Sequence, residues 1–130
     1  MKHVKTKVSF KPKNVVSTER PLEMLHMDLF GPFRTMSLGV NLYALVIVDD
    51  FSRYTWTLFL AAKNDTFHAF KRFAKMLENE KSSKIVSIRS DHGGEFQKER
   101  FEHFCEKHGI KHNFYAPRTP QQKGVVERKK

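Results

Sequence analysis

The chain has 130 residues and a formal net charge of +10, and 39% of it is hydrophobic, with 12 Phe and one Trp. That is ample apolar material for one domain with its own core and too much for a disordered tail. No apolar run approaches the roughly 18 residues that cross a bilayer, Met1-Lys2-His3-Val4-Lys5 lacks the apolar stretch of a secretory signal, and a lone Cys105 excludes an internal disulfide framework.

These exclusions predict a soluble intracellular protein with no membrane partner. The charge is unevenly spread. Residues 1–20 carry +5, residues 118–130 carry +4, and the segment between them carries only +1. Two basic ends on a neutral middle suit a protein that touches a polyanion. Two solvated ends that bind nothing would give the same count.

Residues 1–20 have no apolar periodicity and read as a basic, flexible lead-in to a domain over 21–130. Leu25, Met27 and Leu29 alternate with His26, Asp28 and Phe30, the period of a strand, which Gly31-Pro32 is expected to end. Leu42 to Val48 is a continuous apolar run, as in a covered strand, and Asp50 to Arg53 turns into a third strand, Tyr54 to Leu60. The period then changes. Phe67, Phe70, Phe73, Ala74 and Leu77 predict an amphipathic helix with Asp65 as its N-cap. A short strand, Ile85 to Ile88, stops before Asp91-His92-Gly93-Gly94. A second helix carries Phe101, Phe104, Cys105 and His108 on one face, with Gly109 as its stop, and His112 to Ala116 fits a fifth strand. Thr119-Pro120-Gln121-Gln122 resembles a capping box opening a last helix, although Gly124 can delay its start. The fold class is therefore α/β, a five-stranded mixed sheet flanked by helices.

Three acidic residues stand out. Asp28 interrupts an apolar strand, where a bare carboxylate is costly to bury. Asp91 ends a strand just before two glycines, the region where ligands gather in open α/β sheets. Glu127 falls on the last helix and could approach from the side. Hard divalent cations, magnesium or manganese, take such oxygen ligands, and a pair of them can serve displacement at phosphorus. Singly, the three also fit a hydrogen-bonded core acid, a turn residue and an exposed helix acid.

The words around these residues carry more. His26-Met27-Asp28-Leu29-Phe30-Gly31-Pro32, Val48-Asp49-Asp50-Phe51-Ser52-Arg53-Tyr54-Thr55-Trp56, Arg89-Ser90-Asp91-His92-Gly93-Gly94-Glu95-Phe96 and the stretch Pro117 to Arg128 appear in that order. Together they resemble the catalytic core of copia-type retrotransposon integrases over about residues 14–130. Thirty-five residues separate Asp91 from Glu127, the spacing of retroviral-type integrases. The resemblance implies a ribonuclease H-like fold in which Asp28, Asp91 and Glu127 hold two Mg2+ or Mn2+ ions. It implies hydrolytic trimming of the element's DNA ends, then attack of the freed 3′-hydroxyl on target DNA. Gln122, Lys123 and Arg128 are the candidate nucleic-acid contacts, and a homo-oligomer is the expected assembly.

The sequence departs from that family in places. Lys123 and Lys130 stand where Asn is usual, and on a helix both share the face of Glu127. The last helix is short, with Val125 and Val126 as its only large apolar residues, so the core reads as truncated within it. The family's N-terminal zinc module, of two His and two Cys, has no counterpart. An inactive retroelement remnant that at most binds nucleic acid is therefore the alternative reading. A ribonuclease H is a weaker third, because its first long helix would have to supply a carboxylate and here offers only Glu78 and Glu80 near the far end. His103, Cys105, His108 and His112 suggest zinc, but a single cysteine and an apolar helix face favour packing. Asp49 and Asp50 read as turn residues at a strand end, and Glu95 as an ordinary helix-start acid.

Overall fold

In the computed structural model of the chain, the described residues are 3–7 as backbone, 18–91, 96 and 99–115. They form a mixed sheet of six strands, β1 (His3–Lys7), β2 (Met24–Arg34), β3 (Asn41–Asp49), β4 (Tyr54–Leu60), β5 (Ser87–Ser90) and β6 (Lys111–Phe114). Two helices, α1 (Thr66–Lys81) and α2 (Glu99–His108), join the later strands. The order across the sheet is β1-β4-β3-β2-β5-β6. β1 to β4 pair antiparallel, while β5 runs parallel to β2 and β6 parallel to β5. All five expected strands are present. The sixth, β1, pairs with β4 from within the basic segment that the sequence marks only as a lead-in.

Alternation in β2 decides which side of the sheet is wet. Leu25 and Met27 are buried and Leu29 packs beside them, on the same face as Leu45 and Ile47 of β3, Trp56 and Leu58 of β4, and Ile88 of β5. Both described helices cover that face. Phe73 of α1 meets Trp56 edge-on at 5.4 Å, and Phe70 stacks on Phe101 of α2 at 5.2 Å. Phe67 and Phe104 close the seam between the helices. Each such buried ring stabilises the fold by about 1.5–3 kcal/mol through burial alone.

Three local details depart from the sequence reading. β2 does not end at Gly31-Pro32 but runs on to Arg34, with a register shift between Phe30 and Phe33 that absorbs the proline's missing N–H. Gly31 is needed there: its φ is +126°, and a Cβ would stand 2.9 Å from the Leu42 carbonyl oxygen. β5 begins two residues later than Ile85, whose N–H is taken by the Glu78 carboxylate at 2.8 Å. Asp65 occupies the N-cap of α1 without a capping side-chain bond, because a single 3-10 turn, Lys63–Asp65, precedes the helix and the Thr66 hydroxyl donates to the Lys63 carbonyl at 2.7 Å. Gly109 ends α2 as expected, with φ +68°. The expected last helix lies outside the described residues.

Candidate active site

β2 is the strand at which the sheet changes from antiparallel to parallel pairing. Its parallel register with β5 runs Met24↔Ser87, Leu25↔Ile88 and His26↔Arg89. Carried two residues further, the same register sets Asp28 level with Asp91. The β5–β6 register, which ends at Ser90↔Phe114, likewise sets Tyr115 level with Asp91, and the Tyr115 N–H donates to the Ser90 carbonyl at 2.9 Å. His26, Asp28 and Arg89 project on the face opposite the helices, as the period of two requires. Asp28 and Asp91 are both exposed, so the sheet bears no desolvation cost for either carboxylate. The Leu29 N–H donates to one Asp28 oxygen at 3.1 Å.

A hydrogen-bonded chain stands beside the two carboxylates. The His26 Nδ1 lies 2.7 Å from the Tyr115 hydroxyl, and the two rings are stacked with 9° between their planes. The His26 Nε2 lies 2.8 Å from Asp50 Oδ1. Asp50, buried at the end of β3, also accepts from the Thr18 hydroxyl at 2.9 Å and from Arg53 at 3.4 Å. Burial pushes its carboxyl pKa up, but the bonds from His26 and Thr18 and the charges of His26 and Arg53 outweigh that and hold it below its ordinary value. The Tyr115 phenol is raised by its own burial. The Arg89 guanidinium, 5.6 Å from the ring centroid, opposes the rise, while the negative charges of Asp28, Asp50 and Asp91 add to it. All three carboxylates are thus within electrostatic reach of one hydroxyl.

The sequence-predicted residues divide accordingly. Asp28 and Asp91 are brought to one edge, whereas Glu127, Gln122, Lys123 and Arg128 lie outside the described residues, as does Glu95. Among the described residues, no group of three His, Cys, Asp or Glu side chains is placed to hold a metal ion. Two carboxylates with hard oxygen donors on an open face still suit a magnesium-like cation, which keeps several waters and takes few protein ligands. The His103, Cys105, His108 and His112 set does not converge. Cys105 is buried in the core, its thiol pushed up to about 11 by burial and by the Glu102 charge, and His112 bonds Ser90 Oγ at 2.9 Å.

Asp49 and Asp50 are more than turn residues. Asp49 accepts from the Leu22 N–H at 3.0 Å and from the Ser52 N–H and hydroxyl at 3.1 and 2.6 Å, which ties the β3–β4 turn to the chain before β2. Asp50 and Tyr115 are site neighbours that sequence reasoning missed. The available signal was the parity of His26 and Asp28, which puts both side chains on one face of one strand.

Comparison with known proteins places this chain among relatives. The integrase core domain family matches residues 18–120. The retrovirus-related Pol polyprotein from transposon TNT 1-94 of Nicotiana tabacum is 40% identical over 115 residues, covering 86% of this chain and 9% of the relative. The corresponding polyprotein from transposon RE1 of Arabidopsis thaliana is 37% identical over 123 residues, covering 95% of the chain and 8% of the relative. The chain therefore spans less than a tenth of the length of these polyproteins. Among solved structures, the simian T-cell lymphotropic virus intasome in complex with PP2A regulatory subunit B56 gamma aligns with TM-score 0.67 at 20% identity, over 88% of this chain and 39% of that one. The HTLV-2 integrase catalytic core domain in complex with magnesium aligns with TM-score 0.59 at 24% identity, over 83% of this chain and 64% of that one. These likenesses establish a retroviral integrase-like, ribonuclease H-like fold.

Proposed function

The chain belongs to the integrase core domain family, and from that premise we propose that it is the catalytic core of a copia-type retrotransposon integrase acting on DNA with magnesium or manganese. The observation that carries this reading is the β2–β5 register, which sets Asp28 level with Asp91 on the sheet face opposite the helices. Asp28 and Asp91, with Glu127 as the third member, are the proposed ligands of two cations. The magnesium complex of the HTLV-2 core supports that choice of ion. Such cations, when bound, supply the charge that stabilises attacking and leaving oxygens in an in-line displacement at phosphorus.

The substrates are the element's DNA ends and target DNA, in the nucleus or cytoplasm, with Gln122, Lys123 and Arg128 contacting the backbone and a homo-oligomer as the working form. In trimming, a water oxygen bonds to phosphorus as the P–O bond breaks, leaving a free 3′-hydroxyl. In joining, that hydroxyl bonds to a target phosphorus and the target's own P–O bond breaks. Neither step needs an oxidant or reductant. The protein's part is to hold carboxylate oxygens and phosphates in line.

The test is a magnesium- or manganese-dependent nicking and strand-transfer assay. Asp28→Asn should lower both activities at least about 100-fold. Metal-dependent activity that survives the substitution would falsify the site. No activity in the parent chain would favour the alternative, an inactive remnant that at most binds nucleic acid.

A further inference from the structure

The chain from Tyr115 through His26 to Asp50 joins three separate elements, and no role in the proposed chemistry has been assigned to it. The Asp50 carboxylate can only accept, so the His26 Nε2 at 2.8 Å carries the proton. The Nδ1 of the same ring lies 2.7 Å from the Tyr115 hydroxyl, so one imidazole bridges Asp50 and Tyr115. That bond holds the phenol oxygen against β2, and the β5–β6 register sets Tyr115 level with Asp91. Ring stacking fixes the plane of Tyr115, and Arg89 lies over the ring. Asp50 is itself held by Thr18 and Arg53, so the chain is anchored at its buried end.

We propose that His26 is a positioning residue: backed by Asp50, it fixes the Tyr115 hydroxyl and ring beside Asp28 and Asp91. A ring and hydroxyl held in one place give the site a rigid wall. The consequence for catalysis rests on the function proposed above. The placement of Tyr115 does not.

The experiment therefore has two arms. The chain contains three tyrosines, Tyr43, Tyr54 and Tyr115, and 3-fluorotyrosine labelling gives each a 19F resonance, that of Tyr115 being the one lost in Tyr115→Phe. An Asn amide can stand where Nδ1 stands and bond the Tyr115 hydroxyl, whereas a Gln amide nitrogen can stand where Nε2 stands and reach only Asp50. His26→Gln should therefore move the Tyr115 resonance by more than a linewidth and leave Tyr43 and Tyr54 in place, and His26→Asn should largely restore it. A Tyr115 resonance unmoved by His26→Gln, or moved equally by both substitutions, overturns the proposal.

Added Mn2+ should broaden the Tyr115 resonance in the parent chain and broaden it less in His26→Gln. No broadening in the parent would count against the metal site, while the shift comparison would still judge His26. In the nicking assay, His26→Gln and Tyr115→Phe should each lower kcat about tenfold, with KM for DNA unchanged, and their combination should cost no more than either alone. Additive losses would mean that His26 acts otherwise than through Tyr115. Tyr115→Phe, which removes one hydroxyl and keeps the ring, serves if His26→Gln fails to fold: undiminished nicking in it overturns the proposal.

Discussion

Asp49 and Asp50 are adjacent and buried, yet they serve different ends. Asp49 is closed off by the Leu22 N–H and by Ser52, whereas Asp50 faces the opposite side of the sheet and meets His26. The lowered carboxyl pKa of Asp50 has a sign that can be tested. A group more acidic in the folded chain than its ordinary 3.8 adds stability that is complete above that value. That stability is lost as pH falls through the folded-state value, below 3.8. Acid unfolding followed by circular dichroism should therefore show a steeper loss in the parent chain than in Asp50→Asn, with the curves converging at the acid end. Parallel curves throughout would contradict the origin assigned to the shift. The same residue marks a limit of sequence reading. Asp28 and Asp91 announce themselves as acids in apolar or glycine-rich surroundings. Asp50 matters only because His26 and Tyr115, 24 and 65 residues away along the chain, converge on it, and convergence is a property of register.

At the scale of elements, the helix seam is the most exposed to disruption. Phe101 is fully buried and touches Phe67, Phe70, Phe96 and His112. Phe101→Ala should cost about 3–5 kcal/mol in urea unfolding, because the cavity joins four ring contacts at once. A loss below about 1 kcal/mol would mean that α2 does not dock as described. This seam was legible in the sequence, where Phe at helical spacing in two segments has few other uses. The strand boundaries were less so. Ile85 and Val86 look like strand residues, but the Ile85 N–H is bound to the Glu78 carboxylate and the ladder starts at Ser87. Gly31-Pro32 looks like a stop, yet a bulge carries the strand past it. β1 was illegible for a plainer reason: a lysine-bearing edge strand such as His3–Lys7 lacks the apolar alternation that marks a buried one.

For the molecule as a whole, the +10 charge is a statement about partners that a titration can check. DNA affinity should fall as salt rises, with a slope near −0.9 per phosphate neutralised. Replacing Lys123 and Arg128 with Gln should make that slope shallower by about one unit for each contact removed. Binding indifferent to salt would dispose of the phosphate contacts. The site itself has a different dependence on the whole. Asp28 and Asp91 are 63 residues apart in the chain, and a parallel ladder of three residue pairs makes them neighbours. β2, β3 and β4 follow one another through short connections, but β5 reaches β2 only after α1 has crossed the sheet. During synthesis the chain thus carries half of the proposed cation site until that long loop closes. A divalent ion that needs both carboxylates would act as a clasp on the loop, binding only the closed chain and resisting its reopening. Removing it should loosen the β2–β5 edge before any other part of the sheet.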